Sequence, residues 1–142
     1  MFTNWRIRNT SSLTMLIFGI LAFVFGLVGL LSPETVLSVT SMEVLPHTER
    51  ALGDYTLTFI TAASMASVNM GVYYVLASLN NMKTFYRWTV PFRVLTFTIF
   101  TLAVVKGIAP SGFLGVGIWE LVGAIATGLA LWSEAKKAAE TK

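Results

Sequence analysis

The chain contains no cysteine and a single histidine, His47. Without cysteine there is no disulfide framework, no thiol nucleophile and no thiolate metal site. One histidine lacking a carboxylate pair at ligand spacing makes a poor metal site, so no metal and no cofactor is expected. Charge is scarce as well. Asp, Glu, Lys and Arg make up 12% of the residues, where an ordinary soluble domain has about 25%. That excludes a disordered chain and a nucleic-acid module with a basic face.

Apolar residues fill the gap. They account for 55% of 142 residues, and the mean hydropathy is +0.72. A globule this small has too little core volume to hide so much apolar surface from water. A bilayer can take it. A spanning helix needs about 20 mostly apolar residues, and four stretches qualify: 13–31, 55–79, 88–105 and 113–132. The expected fold is an all-α integral membrane four-helix bundle, one membrane domain over residues 1–142. The first apolar run is longer than a signal-peptide core, and no A-x-A-like site follows it, so it is expected to stay as a span.

Proline punctuates the pattern. Pro33, Pro46 and Pro110 fall between spans, and Pro91 falls in the first turn of the third, where its missing N–H matters least. Ser32-Pro33-Glu34 reads as cap, first turn and dipole-matched acid. A short amphipathic helix therefore opens the first outer loop, with Val36, Leu37, Val39 and Met42 against the membrane surface.

Orientation follows from the basic residues. Arg6, Arg8, Lys83, Arg87, Arg93, Lys136, Lys137 and Lys142 fall on one side, and only Arg50 and Lys106 on the other. Both termini are expected in the cytoplasm, with Trp5, Tyr86, Trp88 and Trp132 forming an aromatic belt at the inner boundary. The tail from Ser133 alternates Glu and Lys with Ala and reads as a frayed, solvated helix extension.

Lipid gives helices no hydrophobic reason to associate, so small residues must let backbones approach. The first span carries Gly19, Ala22, Gly26 and Gly29, the second Ser64, Ser67, Gly71 and Ser78, and the fourth Gly117, Gly123, Ala124, Thr127 and Gly128. Each set lies on one helix face. Packing within the bundle accounts for them; a homodimer seam on the first span is the sharper reading. The third span is bulkier, with Thr89, Arg93 and Thr96 as an inward polar stripe.

Glu120 is the most informative residue. It lies about 10 Å into the fourth span, on the small-residue face. A charge at mid-bilayer costs about 2.5–3.5 kcal/mol on insertion scales and marks a functional candidate. Arg93 is its partner by sign but not by depth. At about 8 Å from the inner end of its span, it leaves roughly 12 Å between the two in a core about 30 Å thick, and snorkelling to the near interface is the simpler fate for it. Arg50 and Asp54, four apart on one helical face, stand nearer the level of Glu120. The candidate site is therefore Glu120, Asp54 and Arg50, with His47 on the adjoining loop. Tyr55, Phe59, Asn69 and Trp119 are the candidate pocket lining, and Asn69 also suits an interhelical hydrogen bond.

The order of these features resembles the DoxX-like group of small four-helix membrane proteins. The resemblance rests on Gly29-Leu30-Leu31-Ser32-Pro33-Glu34 at the end of the first span, the amphipathic segment after it, Arg50-Ala51-Leu52-Gly53 at the second, and Trp119-Glu120-Leu121-Val122-Gly123-Ala124 in the fourth. It implies a four-helix bundle and carries over no catalytic residue. The cysteines that redox-active members use are missing here.

Three functional classes fit the inventory. A non-catalytic accessory protein, scaffold or subunit is favoured, because no nucleophile–base pair, metal cluster or phosphate loop is present. Its partners would be the lipid bilayer and a membrane protein or second copy. A membrane isomerase, cyclase or hydratase acting on a lipophilic small molecule is the alternative, with Glu120 as general acid and Asp54 or Arg50 assisting. An oligomeric transporter is the third.

Overall fold

The structure is a computed structural model that describes residues 6–141, with the backbone alone at His47. Trp5 and Lys142, used above for the aromatic belt and the charge count, lie outside the described residues. Five helices follow in order: α1 (Thr10–Leu31), α2 (Pro33–Val39), α3 (Thr56–Leu79), α4 (Lys83–Val105) and α5 (Leu114–Glu140). Short 3-10 turns at His47–Glu49 and Ser111–Phe113 complete the connections. Four of these helices, all but α2, are long and apolar enough to cross a membrane.

Local chemistry sets the boundaries. Asn9 caps α1 by accepting the Ser12 N–H at 2.8 Å. Pro33 stops α1 and starts α2, with Glu34 in the first turn. The Ser32 hydroxyl bonds Thr35 Oγ1 at 2.8 Å instead of capping a backbone N–H. Leu37 is buried against the bundle while Val39 is exposed, so the apolar side of α2 is divided between protein and surroundings. α3 ends at Asn81 in the left-handed region, φ 52, with the Met82 N–H closing on Ala77 O at 3.0 Å. Gly107, φ 69, ends α4 the same way.

One boundary differs from the sequence expectation and matters for the site: α4 starts at Lys83 rather than at Trp88. α5 runs on to Glu140, and its turns past Ser133 form the solvated helical extension expected there. Hydropathy marks the apolar stretch of a helix, not its full length; polar turns at either end are helical without being apolar. Pro91 consequently sits inside α4 instead of in its first turn. It deprives the Arg87 carbonyl of a helical partner.

α1 is the central helix. Its glycine face meets α3 at backbone contact: a Cβ added at Gly71 would lie 2.6 Å from Phe23 N, and one at Gly26 2.7 Å from Ser64 O. Ser67 Oγ donates to Ala22 O at 2.8 Å and Ser78 Oγ to Ser12 O at 2.6 Å. The small residues of the first span thus pack against α3. On its other side α1 packs on α5, and α5 packs on α4. Gly117 faces Phe97 and Phe100 of α4, and Gly128 faces Val90. α3 and α4 share a tight turn but diverge from it, with almost no close backbone contact beyond. The core centres on Met15, Phe18, Tyr74, Ala77 and Tyr86.

Candidate functional site

Charged and polar side chains gather at three places. The first is mid-bundle, where Arg93 Nε lies 3.5 Å from Glu120 Oε2. This corrects the depth argument. Lys83 and Glu134 meet at 2.7 Å and define a common level at one end of the bundle. From there Arg93 is ten residues along α4, about 15 Å, and Glu120 fourteen residues back along α5, about 21 Å. The remaining 6 Å or so is within reach of an arginine side chain. Counting α4 from Trp88 had placed Arg93 too near the end.

Arg93 does not snorkel. Its side chain is 4% exposed, with Cζ 4.5 Å from the Phe18 ring centroid and 4.9 Å from that of Tyr74. Such cation–π contacts are worth about 2 kcal/mol when desolvated. Gly123 makes the room, since a Cβ there would run into the guanidinium and lie 3.0 Å from Phe18. Trp119 tilts against Phe18 at 4.5 Å between centroids and fixes the ring that holds the arginine. Even so, Nε and Nη1 of Arg93 are buried with no hydrogen-bond partner.

The second place is the end of the bundle where α1 and α4 begin and α3 approaches its turn. Glu134 accepts from Ser11 N–H at 2.7 Å, Ser11 Oγ at 3.1 Å and Lys83 Nζ at 2.7 Å. Asn9 Nδ2 donates to Asn81 Oδ1 at 2.7 Å. Tyr86 OH donates to Ala77 O at 2.9 Å and lies 3.2 Å from Ser12 Oγ. Tyr86 is fully buried here and takes no part in an aromatic belt, whereas Trp88 and Trp132 are exposed. Sequence reading missed this network. The cap sequence Asn9-Thr10-Ser11-Ser12 hinted at it, but the partners come from positions near 80 and 134.

The third place is the loop before α3. Arg50 Nη1 pairs with Asp54 Oδ2 at 2.8 Å. The Thr56 hydroxyl and N–H both donate to Asp54 Oδ1, and with Arg50 they hold this carboxyl below its usual range. Arg50 and Asp54 therefore serve each other, while Glu120 is served by Arg93; the structure does not join them into one site. The His47 side chain, placed with them from sequence, lies outside what is described. Tyr55, Phe59 and Asn69 are exposed, and Trp119 is half-buried. Among the described residues no group of three His, Cys, Asp or Glu could hold a metal ion. An open depression of about 620 Å³ lies by the α3–α4 turn, lined in part by Asn81, Lys83 and Trp88, away from the mid-bundle Glu120.

No family model, curated protein or solved structure matches this chain.

Proposed function

We propose that this chain is a four-span integral membrane protein working as a non-catalytic accessory protein, scaffold or subunit, with both termini in the cytoplasm. The observation that carries the reading is the engagement of Glu120 by Arg93. Glu120 is the one carboxylate in the apolar stretches of the spans. It faces a guanidinium locked between two rings, and the group expected to assist it, Asp54, is engaged by Arg50 and Thr56. An acid–base machine needs a partner group within reach of the substrate; a tie between helices needs only the pair.

Orientation is supported by the basic residues. With Arg93 in mid-bundle, Arg6, Arg8, Lys83, Arg87, Lys136, Lys137 and Lys142 favour one side, against Arg50 and Lys106 on the other. Kinship with the DoxX-like group forms part of the same proposal, supported by the four-helix layout and the short helix after the first span.

The absence of cysteine makes the test clean. Single cysteines at Ala138 and Thr48, in intact cells, are expected to be shielded from and open to an impermeant thiol reagent, respectively. Native electrophoresis of mildly solubilised membranes should show the chain in a discrete complex with another protein, unaltered by Glu120→Gln. A lone monomer that converts a lipophilic substrate in a Glu120-dependent way would overturn the accessory reading.

A further inference from the structure

We propose that the outward face of α3 is the seam of a parallel homodimer in the membrane, held by the Asn69 amides of two copies across a two-fold axis. The inference rests on the membrane placement proposed above. It goes beyond the accessory role, since it names a second copy as partner and places the seam on α3 instead of α1.

The first observation is a polar group facing the wrong way. Asn69 is exposed. It stands about 20 Å from Thr56 and about 15 Å from Leu79 along α3, near the middle of a core about 30 Å thick. Gly71, two residues on, is buried against α1. Two residues turn a helix by about 200°, so Asn69 points away from the bundle. Ser67 and Ser78 give their hydroxyls to α1 carbonyls. The outward Thr61 and Thr98 bond carbonyls of their own helices. The Asn69 amide has no hydrogen bond among the described residues. Hydrocarbon offers it none, so it is short of a donor and an acceptor together.

The second observation is contrast. At mid-span α1 turns Ile20 and Val24 outward, and α5 turns Val122 and Ile125 outward. Those are surfaces for acyl chains. α3 instead exposes Phe59, Ala62, Ala66, Asn69, Tyr73 and Leu76. Their spacing alternates three and four, which is one seam of period about 3.5, the repeat by which two helices stay in contact. Ala62 and Ala66 let a second backbone approach beside the amide. Gly26 of α1 and Gly123 of α5, by contrast, are buried within the bundle.

The third step is the identity of the partner. Copies of one chain insert with one orientation, because the same basic residues orient each. Two α3 helices therefore meet parallel, and each residue near the axis meets its own kind at its own depth. Few side chains are complementary to themselves. A carboxamide is: its carbonyl end is negative and its NH2 end positive, so each Asn69 donates to the other's Oδ1 and accepts in return. No charged residue lies between Asp54 and Lys83, so no like charges oppose each other along the seam.

The chain has no cysteine of its own, so single replacements report on the seam in native membranes. Ala66→Cys, one turn from Asn69, is expected to give an oxidation-dependent disulfide species of twice the chain mass. Ile125→Cys, outward on α5, is expected to give none. Carbonate extraction of the same membranes separates the premise from the inference. Loss of the chain from the pellet overturns the membrane placement and the dimer with it. A retained chain without the Ala66→Cys disulfide overturns the dimer alone. So does equal crosslinking at both positions, the mark of random collision, or an adduct with a different protein. Energy transfer between copies labelled at Ala138→Cys and diluted in mild detergent then tests the amide. Asn69→Leu is expected to raise the dimer dissociation constant about tenfold, as one or two interhelical hydrogen bonds allow. Asn69→Gln should stay near the parent. An Asn69→Leu protein that dimerises as tightly as the parent overturns the role of Asn69.

Discussion

Glu134 and Glu120 sit on the same helix, each facing a cation of α4, and they are treated very differently. Glu134 is at the end of the bundle, fills both oxygens with hydrogen bonds from Ser11 and Lys83, and joins three helices. Glu120 is in the middle and meets Arg93 across 3.5 Å, with buried N–H groups of the arginine left bare. The end cluster is what a structural tie looks like when every donor finds an acceptor. The central pair is a tie with donors left unmet, and it holds charge in place at a cost to the fold. Position along the helix decides the outcome: near the end, neighbouring polar caps are available; in the middle, only rings and glycines are.

The largest expected effect comes from breaking the central pair on one side. Glu120→Leu leaves a buried cation and is expected to cost about 3–5 kcal/mol, whereas Arg93→Leu with Glu120→Leu should return to parent stability or above it. Thermal midpoints of the three proteins in one mild detergent check this. A double variant as weak as the single would show that Arg93 acts through Phe18 and Tyr74 rather than through Glu120.

Next comes the space the arginine occupies. Gly123→Ala puts a methyl into the guanidinium, which the two rings keep from shifting freely, and should cost about 1–3 kcal/mol. The same midpoint reports it, and adding Arg93→Leu should relieve the loss.

Glu134→Ala tests the contrasting cluster. It strips a charge-assisted bond from a half-exposed Lys83 and a partner from the Ser11 N–H, for about 1–2 kcal/mol. The loss is expected to show as faster amide exchange at the start of α1, with little change at Arg93.

The smallest effect is the pH response of the loop pair. The Asp54 carboxyl is held below its ordinary value, first by Thr56 and then by Arg50. Its contribution is therefore present above the unfolded carboxylate pKa and lost as pH falls through the lower folded value. Midpoints of the parent and Asp54→Asn should differ near neutrality and converge in acid.

The four apolar runs and the breaks at Pro33, Pro46 and Pro110 were legible because both are local: hydropathy and backbone chemistry act within a few residues. The glycine and serine faces of α1 and α3 were legible for the same reason. The Arg93–Glu120 pairing was not. It depends on the start of α4, and Lys83-Thr84-Phe85-Tyr86-Arg87 is helical while too polar to count as membrane span. Nor was the partnership of Asn9, Asn81 and Glu134 legible, since nothing within any one segment announces the other two. The grouping of Glu120 with Asp54 and Arg50 rested on depth alone; in the structure Asp54 pairs with Arg50 and Glu120 with Arg93.

The placement of Arg93 also bears on how the chain is made. On the membrane placement proposed above, α4 alone would bring its arginine into the bilayer with no anion beside it, at an apparent penalty of about 2.5–3.5 kcal/mol. The neutralising carboxylate arrives only with α5, after a connection of eight residues. On that placement, α4 and α5 would enter the bilayer most readily as a helical hairpin, with Glu120 supplying the counter-charge that α4 alone lacks.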